Sequence, residues 1–230
     1  MSFYLAIDTS GPQTFVSIGS SKVGFVSVSN PSRSEETGFT EDLPCIIQDI
    51  LSSSSKKWSD ISALVIGSGP GSFTGLRVGL SYLKGIAYGL SIPIYQIPSL
   101  MGFAAEFKNE AKYIISISNA QREELFVSIF HIVENRFVPK SVTEIVPILR
   151  IESWVQGQIK DCSLDQLKYV GFAEEEITGI QIALPSKVTE SLICLAEQGS
   201  LETFDFNKIA QLEPIYLRKV NARTIAERAS

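Results

Sequence analysis

Residues 67–77 read GSGPGSFTGLR, a glycine-rich turn that carries a buried strand into a long helix. Upstream, Ala-Leu-Val-Ile-Gly-Ser (63–68) is a short continuous apolar run, the pattern of a strand covered on both faces. Downstream, apolar positions recur at helical spacing from about 72 to 90, with Ser72 or Thr74 placed to cap the first turn. Glycines in such a turn allow positive φ and let another group approach the helix start, where free N–H groups favour an anion. One reading is therefore a nucleotide or phosphate loop built on Gly69, Gly71, Ser72 and Thr74; the other is a tight helix entry. The P-loop pattern GxxxxGK[ST] fails for want of its lysine. The dinucleotide pattern GxGxxG fails because Ser72, Phe73 and Thr74 follow Gly71.

Laid out at about 100° per residue, the helix has two apolar faces. Leu76, Leu80, Leu83, Ala87 and Leu90 form a stripe suited to the chain's own sheet. Gly75, Gly79, Tyr82, Ile86 and Gly89, with Val78 and Gly85, form a second, leaving only Arg77, Ser81, Lys84 and Tyr88 as a polar strip. A helical glycine costs ~0.8–1 kcal/mol relative to alanine, so this cluster calls for the close approach of another helix. That helix belongs either to a partner, the reading favoured here, or to this chain's own residues 41–51.

Outward from the turn, the first half opens with three strand-like runs, FYLAID (3–8), TFVSIGS (14–20) and GFVSVSN (24–30), an antiparallel ribbon. Thr40 is placed to cap a helix with Glu41, Asp42 and Pro44 in its first turn and Leu43, Ile46, Ile47, Ile50 and Leu51 as its apolar face. With the strand, the long helix and IPIYQI (92–97) after it, the order is βββαβα. The second half repeats it: YIISIS (113–118), ELFVSIFHIV (124–133), FVPKSVTEIV (137–146), a helix near 150–160, LKYVGF (167–172) and a helix at 187–198 capped by Ser186. Phe15-Val16-Ser17-Ile18 recurs as Phe126-Val127-Ser128-Ile129, which sets Asn119 opposite Asp8. The expected fold is α/β with duplicated βββαβα lobes, 1–109 and 110–230.

Hydrophobic residues at 44% and charged residues at 20% exclude a disordered chain. There is no apolar run of the ~18 residues a membrane helix needs. MSFYLAIDTS has no basic start and meets Asp8, so it reads as a buried strand rather than a signal peptide, and the expected location is cytoplasmic. A net charge of −5 provides no basic field for gripping nucleic acid alone. Cys45, Cys162 and Cys194 are odd in number and dispersed, which predicts buried thiols and neither disulfides nor a metal site. The single histidine, His131, lies in a strand-like run and reads as structural; neither HxxxH, HExxH nor GxSxG occurs. Asp8, followed by Thr9 and Ser10, ends the first strand where sugar-kinase and actin-like lobes hold a phosphate loop, yet it suits an Asx turn equally.

With IDTS (7–10), GPGSFTGLRVG (69–79) and EPIYLR (213–218), the chain resembles the bacterial TsaB (YeaZ) family over nearly its full length. The glycine-rich motif is the specific one; the other two support it. The resemblance implies the actin, sugar-kinase and Hsp70-like (ASKHA) fold. It further implies a non-catalytic subunit for making threonylcarbamoyladenosine beside the anticodon of tRNAs that read codons starting with A. The implied partners are a homologous transferase, TsaD, which carries the HxxxH absent here, and an ATPase, TsaE. tRNA would be met only through the complex, and the chain alone would form a homodimer. The resemblance puts the partner surface on the first two helices, here Leu43, Ile46, Ile47, Ile50, Gly75, Gly79, Tyr82, Ile86 and Gly89. No metal and no cofactor of its own is expected, and the place left for ATP or ADP is the interface of the complex. The chain departs from the family pattern at Thr40-Glu41-Asp42-Leu43-Pro44, which lacks the usual histidine, and at Asn119-Ala120-Gln121-Arg122, where members read DAR. The competing functions are a small ATP-dependent phosphotransferase of the same fold, a peptidase and a purely self-associating module.

Overall fold

A computed structural model of the chain describes residues 2–31, 43–134, 136–159, 162–173, 177, 179–199, 203–205 and 207–217. The first half contributes β1 (Phe3–Asp8), β2 (Gln13–Ser20), β3 (Gly24–Pro31), α1 (Leu43–Ser53), β4 (Ile61–Gly67), α2 (Phe73–Leu90), β5 (Ile94–Ile97) and α3 (Ser99–Ala105). The second contributes β6 (Tyr113–Gln121), β7 (Glu124–Val133), β8 (Arg136–Pro139), β9 (Glu144–Pro147), α4 (Ile151–Gln158), β10 (Leu167–Phe172), β11 (Ile182–Ala183), α5 (Val188–Glu197) and β12 (Thr203–Phe204).

One sheet runs β12-β5-β4-β1-β2-β3 and the other β11-β10-β6-β7-β8, with β9 also on β7. Without β12 and β9 the two orders match strand for strand. β1 is antiparallel to β2 and parallel to β4; β6 is antiparallel to β7 and parallel to β10. The duplicated α/β lobe is therefore real, and it has the ASKHA arrangement.

Strand alternation sorts the apolar side chains into three cores. Leu5, Ile7, Val16, Leu64 and Ile66 face α1 and α2 on the outer side of the first sheet. Ile115, Ile117, Val127 and Ile129 face Ile151 and Val155 of α4 on the outer side of the second. Between the sheets, Ala6, Phe15 and Val65 share one core with Ile114, Phe126, Val170, Phe172 and with both α3 and α5. Every residue of α3 is buried, so its sequence, SLMGFAA, has no polar face for periodicity to reveal.

Four expectations change. The run 137–146 is two strands, because Ser141 leaves the ladder and its hydroxyl accepts the Ile129 N–H at 3.1 Å. The last helix follows β11, so its counterpart in the first half is α3 and not α2. Ser186 does not cap it; the Ser186 and Lys187 N–H groups donate to the Glu106 carboxylate at 2.8 and 2.9 Å. A boundary at 109/110 also fails to divide the molecule, since β12 pairs with β5 and α5 packs beneath the first sheet. The expected cap at Thr40 with Glu41 and Asp42 lies outside the described residues.

Candidate partner-binding site

The Asp8 loop and the glycine-rich turn are folded onto each other. Asp8 Oδ1 accepts from the Ser10 N–H at 2.9 Å and from the Ser10 hydroxyl at 2.6 Å, an Asx turn. Asn119 repeats the bond in the second lobe, accepting the Gln121 N–H at 2.7 Å, so the two positions correspond as the sequence offset implies. Thr9 donates its hydroxyl to the Gly75 carbonyl at 2.7 Å, and the Ser72 N–H donates to the Ser10 carbonyl at 2.8 Å. Side chains are excluded where these segments meet: a Cβ on Gly67 would overlap the Asp8 carboxylate, and one on Gly71 would overlap the Ser10 carbonyl.

Of the residues expected to form a phosphate loop, the structure brings together Asp8, Thr9, Ser10, Gly69, Gly71 and Ser72, and leaves Thr74 exposed. The Thr9 and Ser10 hydroxyls and the Ser10 and Ser72 N–H groups donate within the protein. The Gly69 N–H reaches Ser99 Oγ at 2.9 Å, and Ser72 Oγ caps α2 by accepting the Gly75 N–H at 3.2 Å. Ser99 opens the buried α3, which gave the sequence no signal of its presence here. Burial pushes the Asp8 carboxyl above the usual carboxylate range, partly offset by the Ser10 hydroxyl, the Ser99 hydroxyl and the Ser10 N–H. No bond of acceptable geometry reaches Asp8 Oδ2, which is buried.

On α2, the inward stripe is wider than the helical wheel implies. Gly75 and Gly79 are buried, and a Cβ on Gly79 would stand 2.5 Å from Thr9 Oγ1. These two glycines receive the chain's own Asp8 loop, so they are not part of an open face. Leu43, Ile47 and Ile50 of α1 are likewise core residues. What remains open is a narrower strip of half-buried Val78, Tyr82 and Ile86 with exposed Gly85 and Gly89, beside half-buried Ile46 of α1. A Cβ at Gly85 or Gly89 would meet nothing within 4 Å. Burial, with the Cys45 thiol of α1 nearby, pushes the Tyr82 hydroxyl upward.

The expected polar strip of α2 carries the C-terminal segment. Ile215 donates its N–H to the Ser68 carbonyl at 2.9 Å, Lys84 Nζ donates to the Ala210 carbonyl at 3.2 Å, and Gln96 donates to the Glu213 carbonyl at 2.7 Å. Arg77 lies 3.9 Å over the Phe73 ring and donates Nε–H to the Tyr216 hydroxyl at 3.1 Å. The two motifs GPGSFTGLR and EPIYLR thus touch through Phe73, Arg77 and Tyr216; their co-occurrence in one sequence was the only hint of it.

Elsewhere, His131 stacks on Tyr113 at 5.8 Å within the second sheet, a structural role as expected, and burial followed by nearby Lys140 lowers its pKa. The cysteines are free but not buried: Cys45 is exposed, Cys162 and Cys194 half-buried. Among the described residues there is no cluster of three His, Cys, Asp or Glu that could hold a metal ion, and no helix is long and apolar enough to cross a membrane.

Two lobes of one strand order, joined through a shared inner core, define a member of the ASKHA class. Solved structures agree on the fold. YeaZ from Pseudomonas aeruginosa superposes with a TM-score of 0.71 at 20% identity, over 94% of this chain and all of that one. A Pseudomonas aeruginosa protein described as similar to peptidase YeaZ gives 0.73 at 20% identity, over 95% of this chain and all of that one. The family model TsaD, tRNA N6-adenosine threonylcarbamoyltransferase, matches residues 33–196, and the chain belongs to that family, in its TsaB (YeaZ) branch. It is 28% identical to the tRNA threonylcarbamoyladenosine biosynthesis protein TsaB of Haemophilus influenzae, over 75% of this chain and 77% of that one. It is 35% identical to Escherichia coli TsaB over 46% of this chain and 47% of that one, so that match spans about half of either.

Proposed function

We propose that this chain serves tRNA threonylcarbamoyladenosine synthesis as a non-catalytic subunit, by binding the homologous transferase TsaD along the exposed strip of α2 and the adjoining edge of α1. The observation that carries this reading is the contrast between the two ends of α2. At its start, the Thr9 and Ser10 hydroxyls and the Ser10, Gly69 and Ser72 N–H groups donate to partners inside the protein, and Ser72 Oγ is taken up as the cap of α2. Along its length, Gly85 and Gly89 leave space with Tyr82 and Ile86 beside them, a surface shaped for another helix. The names of the TsaB relatives support the pathway. TsaE is the third partner in this reading, tRNA is met through the complex, and any ATP or ADP sits at the interface.

The test is a reconstitution with the TsaD homologue, the ATPase, threonylcarbamoyl-adenylate and tRNA. The chain should co-purify with the transferase, and modification should require it, while the chain alone turns over no ATP. Modification that proceeds equally well without it, or phosphotransfer by the isolated chain, would overturn the proposal.

A further inference from the structure

A cleft of about 190 Å³ opens where α5 passes the end of α3 and the edge strand β3. Phe25, Ala105 and Leu195 give it an apolar wall, and all three pack in or against the core between the sheets. Four charged side chains line the rest: Glu106, Lys108, Lys187 and Glu190. The two carboxylates are already engaged. Glu106 accepts the Ser186 N–H and the Ser186 hydroxyl, each at 2.8 Å, and the Lys187 N–H at 2.9 Å. Glu190 Oε1 accepts the Ser27 hydroxyl at 2.7 Å. The Lys108 and Lys187 ammonium groups have no ion-pair partner among the described residues, where the one ion pair joins Lys168 to Glu110.

We propose that this cleft binds a small organic monocarboxylate, with its carboxylate at Lys108 and Lys187 and a short aliphatic body against Phe25, Ala105 and Leu195. Three features select that class. The volume is below the ~300 Å³ at which drug-sized sites begin, so the ligand has few heavy atoms. The apolar wall gives a hydrocarbon body a gain that a bare inorganic anion would not share. The two free ammonium groups attract one oxyanion, while Glu106 and Glu190 on the same lining repel a second negative charge, which disfavours a phosphate dianion. Cys194 also lines the cleft and reports on its occupancy. Burial and then Glu197 push its thiol up, with Lys108 partly offsetting them, so it reacts slowly and a bound acid would cover it further. The proposal does not rest on the TsaD reading: α1 and α2 cover the outer side of the first sheet, and the cleft lies on the inner side.

Titration of the full chain with valerate and, at equal ionic strength, with inorganic phosphate tests this by amide NMR. Valerate should give saturable shifts around residues 105–108 and 187–195 with a Kd of about 1 mM or tighter, and phosphate should bind at least about tenfold more weakly. Valerate should also slow alkylation of Cys194 by iodoacetamide and leave Cys45 and Cys162 reacting as before. Lys108→Gln combined with Lys187→Gln should weaken valerate by about tenfold or more. The melting temperature should hold, because the main-chain bond from residue 187 to Glu106 survives the change. Lys187→Gln alone, at an exposed position, should show part of the same loss. Gly85→Leu, on the helix strip, should bind valerate as wild type does, which separates failure here from failure of the α2 interface. Absence of saturable valerate binding overturns the proposal. So does phosphate binding as tight as valerate, or a folded lysine variant whose affinity for valerate is unchanged.

Discussion

Gly79 and Gly85 lie less than two turns apart on α2, yet replacing each with leucine should have opposite effects. At Gly79 the new Cβ would stand 2.5 Å from Thr9 Oγ1 and displace a hydroxyl that is bonded to the Gly75 carbonyl. Overpacking costs ~1–3 kcal/mol and an orphaned buried polar group ~1–3 more, against a helix-propensity gain of ~0.8–1. The net is a loss of about 1–5 kcal/mol, or roughly 2–20 °C in melting temperature for a chain of this size. At Gly85 the Cβ meets nothing, so the propensity gain stands alone and the free chain should melt a degree or more higher. Binding to the transferase should then fall by ~2 kcal/mol, about thirtyfold, if this strip is the centre of the contact. Scanning calorimetry of the free chain and calorimetric titration against the TsaD homologue measure the two effects. A Gly79→Leu protein that melts at or above wild type would refute the seating of the Asp8 loop on α2. A Gly85→Leu protein that binds as tightly as wild type would move the interface elsewhere.

Two further outcomes follow from the same region. Because burial raises the Asp8 pKa, the folded state holds that proton more tightly than the unfolded chain; the stability this contributes is complete below the unfolded value, ~3.9, and is lost as pH rises through the folded value. Asp8→Asn, which copies the bond Asn119 makes in the second lobe, should therefore raise the melting temperature at neutral pH and flatten its decline from mildly acidic pH. An unchanged slope would show that Asp8 does not titrate in this way. Arg77→Ala removes the cation over Phe73 and the bond to Tyr216, a loss of about 1 kcal/mol that should make residues 213–217 cleavable by limited proteolysis. An unaltered cleavage pattern would mean that the Ser68, Lys84 and Gln96 bonds suffice.

Most of the strands could be read because their apolar runs are continuous or alternate, and α1 and α2 because each has a polar side. α3 could not, since burial on all sides erases the period that reveals a helix. β11 and β12 are too short to carry any pattern. The helical wheel placed Gly75 and Gly79 on one face with Gly89, but a wheel gives direction and not occupancy. Thr9, far away in sequence, fills the space beside Gly79, and only the tertiary fold brings it there. The motifs IDTS and GPGSFTGLR are separate in sequence, and the structure shows one bonded unit, with EPIYLR as its third part.

The exchange of helices between the halves, with α5 lying beneath the first sheet, sets a schedule for synthesis in the cell. When the first 109 residues have been made, the inner face bearing Ala6, Phe15, Val65 and Ile97 has no cover until α5 arrives at residues 188–197. At ~5–20 residues per second that interval is about 4–18 s. The nascent N-terminal half must spend those seconds unfinished, sheltered by a chaperone or still unfolded. A ribosome that stalls or a message cut short before residue 188 would release a lobe with a naked apolar sheet, not a smaller working protein.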